Sequence, residues 1–236
     1  MRQLNLDLAR PEAAPFAGVL AGANAVVLAS LRDDPWPGPP VYLWGPAGAG
    51  KTRLLRETRE RAVSAGLGAQ WFDPTTPVPW ALAEDTALVL LDGAQAWDAD
   101  RQQGAFSLYV EAAGRVGAAA VSEPPPGARL GVQFVAAGRL PPVDLDVRDD
   151  LRTRLAWGPV HALQPLGEAD ARAALRQEAA RHGLVLSDEV LDYLLSRFSR
   201  DLKTLMALQS RLGDFALAEK RAVTIPLLKR MLDEGA

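Results

Sequence analysis

The sequence predicts a three-layer α/β sandwich with a parallel sheet, followed by a small all-helical domain. Strand and helix patterns alternate up to about residue 165. A Gly-rich loop joins the first strand to the helix after it. Beyond Pro165 the spacing is helical, with no strand between the helices.

Residues 1–10 (MRQLNLDLAR) alternate polar and apolar side chains and are followed by a proline-punctuated spacer, PEAAP. The spacing predicts a helix over 23–33, where Val26, Val27, Leu28 and Leu31 supply an apolar face. DDPWPGPP breaks the chain, and 41–44 reads as a short buried strand. A helix follows Thr52 and runs to about residue 65, where Gly66 and Gly68 stop it. Residues 70–72 form a second strand, ended by DPTTPVP. ALVLL at 87–91 is a continuous apolar run ending at Asp92, as expected of a central parallel strand covered on both faces.

A helix is expected over 98–113, then a loop or inserted element over 114–131, which contains PPPG. Residues 132–136 give a further strand, and 147–155 a helix carrying several arginines. Four helices are predicted beyond, at 167–181, 187–197, 200–217 and 225–234. Ser187 ahead of Asp188 and Glu189 suits a capped helix start. The expected division is a tail (1–10), a sandwich (11–163) and a helical domain (164–236).

Composition narrows the chemistry. Apolar residues make up 48% and charged residues 23%, an ordinary balance for a globular protein. With no cysteine, disulfides, thiol catalysis and Cys-ligated zinc are excluded. Only His161 and His182 offer imidazole, which argues against a dedicated His-metal site. No apolar run approaches the ~20 residues of a membrane span, and no signal pattern opens the chain, so a cytoplasmic location is expected. The net charge is −3 and no basic run occurs, which argues against strong autonomous binding to DNA phosphates.

Gly45, Pro46, Ala47, Gly48, Ala49, Gly50, Lys51 and Thr52 satisfy the phosphate-loop pattern G-x-x-x-x-G-K-[ST] in full, between a strand and a helix. Glycines let backbone N–H groups face phosphate oxygens, and the helix N-terminus adds a favourable field. Lys51 reaches the outer phosphates, and the Thr52 hydroxyl can ligate Mg²⁺. Asp92, about 40 residues later, is the second Mg²⁺ partner, or else a strand-terminal turn cap.

These motifs and the helical C-terminal part resemble the DnaA-related AAA+ family of replication initiators, and within it the shortened Hda-type regulators. The resemblance spans essentially the whole chain. It rests on F-x-x-x-L-x-G-x-N from Phe16 to Asn24, WGPAGAGKTRLL, DLRTRLAWG at 150–158, and VLDYLLSRFSRDLKTLMALQSRL. It implies an AAA+ P-loop sandwich with an all-α lid, an adenine nucleotide (ADP or ATP) with Mg²⁺, and an adenine side that includes Gly22 and Asn24. Arg154 falls on the family's arginine-finger position, and Arg200 on the lid arginine that touches the chain's own nucleotide. A guanidinium is permanently charged and forked, which suits a γ-phosphate; the alternative for each is a solvated helix arginine. The family's initiator carries a further DNA-binding helix-turn-helix domain, which is not expected here.

The sequence departs from the family at three places. Gly93 stands where many hydrolytic members place a second carboxylate, Ala137 and Gly138 stand where a polar sensor is usual, and 114–131 is longer than expected. All three put intrinsic ATP hydrolysis in doubt.

Gln3, Leu4, Leu6 and Leu8 resemble the peptide by which such proteins bind the DNA polymerase sliding clamp; a terminal strand is the alternative. The expected function is negative regulation of replication initiation. The chain docks on DNA-loaded clamp and stimulates ATP hydrolysis by DnaA through Arg154 in trans, with DNA met only through the clamp. Homodimerisation stays open, and no membrane is involved. Two rivals remain: an autonomous ATPase acting as helicase loader or minimal initiator, and a clamp-bound adaptor whose P-loop only stabilises the fold.

Overall fold

A computed structural model describes residues 14–121, 131–181, 183–198, 202–219 and 221–234. Five strands, β1 (Val41–Trp44), β2 (Gly68–Phe72), β3 (Thr86–Leu91), β4 (Gln133–Gly138) and β5 (Val160–Ala162), form one sheet in the order β2-β3-β4-β1-β5. Every pairing is parallel. Parallel neighbours need crossover connections, and helices supply them.

Side chains of a strand alternate between faces, and the core follows that period. Leu88, Leu90, Val135, Ala137 and Leu43 pack with α1 (Ala25–Asp33) and α2 (Lys51–Ser64) through Val27, Leu31, Leu54 and Leu55. Val89, Leu91, Phe134, Ala136 and Tyr42 face the opposite layer. There α3 (Ala99–Val121) and α4 (Asp149–Leu155) present Leu108, Tyr109, Leu151 and Leu155. Covering both faces explains why β3 and β4 are buried along their whole length. All five strands point their carboxyl ends to one edge, the usual binding edge of an open α/β sheet.

Two expectations are corrected. The helix predicted over 98–113 runs on to Val121, through the first part of the segment expected as a loop. Gly114 and Gly117 do not end it, since a glycine inside a helix costs only about 1 kcal/mol relative to alanine. Tertiary bonding holds this stretch: the Arg115 guanidinium donates to the carbonyls of Leu82, Ala83 and Glu84. Residues 122–130 lie outside the described residues. The second correction is β5, which the sequence reading missed. It is a three-residue edge strand, Val-His-Ala, too short and too exposed to show alternation.

Helices α5 (Glu168–Arg181), α6 (Asp188–Arg197), α7 (Leu202–Glu219) and α8 (Ile225–Glu234) form the C-terminal lid. Ser187 caps α6 by accepting the Val190 N–H, as its place ahead of two acidic residues suggested. The four helices close over Leu175, Leu191, Leu194, Leu205, Leu212 and Leu228, all fully buried. Each such side chain contributes on the order of 1.5–3 kcal/mol of apolar burial.

Candidate functional site

The strand VYLW ends at Trp44, and the phosphate loop follows with Gly48 and Gly50 in the left-handed region (φ 80° and 90°). Helix α2 starts at Lys51, so its free N–H groups and positive dipole end face the loop. The Lys51 ammonium donates to the Gly45 and Pro46 carbonyls, each at 2.7 Å. Partial burial pushes Lys51 below the ordinary lysine range; Asp92 pulls it up and Arg139 pushes it down. The Thr52 hydroxyl donates to the Asp92 carboxylate at 2.7 Å. The sequence separates these two by about 40 residues, and the fold brings their oxygens together. Among the described residues no cluster of three or more His, Cys, Asp or Glu exists. A metal held here would therefore lean on one carboxylate, one hydroxyl and phosphate oxygens, which is how Mg²⁺ is usually bound.

Beside the loop lies a small open cleft. Its walls are Gly18–Ala21, Asn24 and Leu28 on one side, Gly48–Gly50, Arg53 and Leu54 on another, and Leu163, Leu166 and Ala174 toward the lid. Helix α2 fastens the first wall. Glu57 accepts the Phe16 N–H at 2.7 Å, and Arg53 donates to the Gly18 carbonyl at 2.7 Å. Arg53 also reaches the Met206 sulfur of the lid, at 3.9 Å. Asn24 lines the cleft, but its amide is committed: it donates to the Gln164 carbonyl and accepts the Gln164 N–H. Asn24 therefore ties the cleft to the root of the lid. Gly22 sits against the lid as well, since a Cβ there would lie 3.0 Å from Leu166 and 3.1 Å from Asp170. The cleft is apolar with few polar groups, which fits a planar base next to a phosphate cradle.

Helix α4 carries the arginines of the DLRTRL segment. Arg148 is bonded to Asp150, and Arg152 to Asp149 and to the Leu145 and Val147 carbonyls. Arg154 differs. Among the described residues its side chain has no hydrogen bond or ion pair, and its guanidinium lies over the Trp157 ring, 4.8 Å from the centroid. Trp157 is 68% exposed. The pair thus presents a forked cation on an uncovered aromatic plate.

Residues 168–232 match the family model of the Hda lid domain. The whole chain resembles domain III of the Thermotoga maritima replication initiation protein DnaA, with TM-score 0.72 and 17% identity, over 95% of this chain and 97% of that one. AMPPCP-bound DnaA from Aquifex aeolicus matches with TM-score 0.56 and 20% identity, over 81% of this chain and 61% of that one. The Thermotoga maritima RuvB branch migration motor matches with TM-score 0.58 and 14% identity, over 89% and 66%. The chain therefore has the fold of DnaA domain III, with an Hda-type lid over residues 168–232.

Beside the phosphate loop, the strand ends carry glycines at 93 and 138, and the fold gives physical reasons. Gly93 follows Asp92 with φ 75°, and a Cβ there would lie 3.1 Å from Pro74. A second carboxylate at 93 would meet both strain and crowding. At the end of β4, a Cβ on Gly138 would fall 2.0 Å from the Tyr42 hydroxyl. That hydroxyl donates to the Leu140 carbonyl, and burial pushes its pKa up. The space beside Gly138 is therefore filled by a tyrosine from the neighbouring strand. No period or motif in the sequence announced this. Arg53, Glu57, Gln95 and Arg139 were likewise missed, because each acts through a contact far away in sequence. Arg200 and the tail residues Gln3, Leu4, Leu6 and Leu8 lie outside the described residues.

No helix among the described residues is long and apolar enough to cross a membrane.

Proposed function

We propose that this DnaA-related protein is a negative regulator of replication initiation that activates ATP hydrolysis by DnaA. Base (11–163) and lid (164–236) hold ADP or ATP between the cleft and the P-loop. Lys51 binds the outer phosphates, Thr52 and Asp92 hold Mg²⁺, and Arg200 senses the nucleotide from the lid. Residues 1–10 dock on the DNA-loaded sliding clamp through Gln3, Leu4, Leu6 and Leu8. Arg154 then enters the nucleotide site of a neighbouring DnaA molecule and neutralises charge on the γ-phosphate. The protein works in the cytoplasm and meets DNA through the clamp.

The observation that supports this reading is the uncommitted Arg154. Arg148, just before α4, and Arg152 on it are tied to carboxylates and carbonyls, whereas the Arg154 guanidinium lies on the open face of Trp157. A guanidinium supplied in trans raises phosphoryl-transfer rates by roughly 10³–10⁵-fold. The strained, crowded position of Gly93 favours this reading over an autonomous ATPase, since the chain's own site has no second carboxylate there to orient water.

The test is ATP turnover by DnaA in the presence of clamp, DNA and this protein. Arg154→Ala is expected to remove the stimulation, and deletion of residues 1–8 to remove its dependence on clamp. Full stimulation by Arg154→Ala refutes the finger, and partner-free turnover at comparable rates favours the autonomous ATPase.

A further inference from the structure

We propose that Arg53 is a positioning residue for the base of a bound nucleotide, locking the N-terminal wall of the cleft and the lid to the helix that begins at the phosphate loop. The inference rests on the nucleotide-binding reading above and extends it to a side chain outside the P-loop motif.

The wall that Arg53 holds is a turn rather than a strand or a helix. The Ala17 N–H donates to the Ala14 carbonyl at 3.0 Å, and the Val19 N–H to the Phe16 carbonyl at 3.1 Å. Phe16 is buried there with φ 65°, a conformation that a bulky side chain rarely adopts. Such a backbone persists where its surroundings over-determine it. Here the surroundings include two side chains one helical turn apart on α2. Glu57 accepts the Phe16 N–H and Arg53 donates to the Gly18 carbonyl, each at 2.7 Å. The guanidinium and the Glu57 carboxylate are themselves 3.9 Å apart, at i,i+4 spacing, so each helps to hold the other.

Arg53 also reaches the lid. Its Nη1 approaches the Met206 Sδ on α7 at 3.9 Å, and the side chain lines the cleft between these partners. A guanidinium has several donors in a rigid fork, so it can serve a carbonyl, a carboxylate and a thioether together; the single ammonium of a lysine has no such fork. Helix α2 starts at Lys51, within a turn of Arg53. The phosphate loop, the wall and the lid therefore take their places from one helical turn. A nucleotide whose phosphates lie on the loop meets its base-side walls already set, and little of its binding energy is spent on ordering them.

Calorimetry of the full chain with Mg²⁺ tests this by comparing ADP with inorganic pyrophosphate, which carries the phosphates and no base. Arg53→Ala is expected to weaken ADP about tenfold, the scale of one lost charge-assisted hydrogen bond, and to leave pyrophosphate near wild type. Arg53→Lys should resemble Arg53→Ala, since it keeps the charge and loses the fork. Lys51→Ala should weaken both ligands. Met206→Ala should also weaken ADP, and adding it to Arg53→Ala should cost little more, because the two side chains act through one contact. Unchanged ADP affinity in Arg53→Ala, equal losses for ADP and pyrophosphate, or strictly additive losses with Met206→Ala overturn the role of Arg53 while the nucleotide site stands. A wild-type chain that binds neither ligand overturns the nucleotide site itself.

Discussion

The Arg154 guanidinium rests 4.8 Å above the ring of Trp157, a side chain that is 68% exposed. A cation over an indole face at an exposed site is held by about 0.5–1 kcal/mol. That is enough to bias a long side chain toward one direction and too little to prevent it from leaving for a phosphate. Trp157→Ala should therefore leave the melting temperature near wild type and reduce stimulation of DnaA turnover several-fold, less than Arg154→Ala. Unchanged stimulation would show that the ring does not orient the finger.

Tyr42 and Gly138 compete for one volume. Gly138→Asn, which restores a polar side chain at the strand end, should destabilise the fold by about 1–3 kcal/mol through overpacking. Tyr42→Phe removes the hydroxyl that a Cβ would strike at 2.0 Å. In the double variant part of that loss should return, and denaturant unfolding of the four proteins measures the coupling. Strictly additive losses would mean that the two side chains do not share the space.

Lys51 supplies a pH dependence. In the free protein partial burial lowers its pKa below the ordinary 10.5, and bound phosphates raise it. The complex therefore binds more protons than the free protein at alkaline pH. Affinity should be fully present below the lowered value and fall as pH rises through it. Nucleotide titrations across the alkaline range check this, and an affinity that rises there contradicts the sign.

Asp92→Asn keeps an acceptor for the Thr52 hydroxyl and removes the charge. Its effect should appear as loss of Mg²⁺ dependence: nucleotide affinity with Mg²⁺ falls toward the value measured with chelator. If Asp92 served only as a turn cap, Mg²⁺ would strengthen binding as much in the variant as in wild type.

Much of the architecture was legible in the chain because it depends on local pattern. The run ALVLL announced a strand covered on both faces, G-x-x-x-x-G-K-T fixed where a phosphate cradle would sit, and Ser187 marked a helix start. Arg115 shows the limit. Its bonds to Leu82, Ala83 and Glu84 carry α3 past two glycines, and no window around residue 114 contains that information.

The sequence by itself determined the layered α/β plan, the helical lid and the phosphate loop, since hydrophobic period and glycine spacing act over a few residues. Only the tertiary structure decided that Thr52 meets Asp92, that Tyr42 occupies the space beside Gly138, and that Arg154 lies over Trp157. Those relations depend on which strands lie side by side and in what register. They are set by burying both faces of one sheet, a property of the whole chain rather than of any segment.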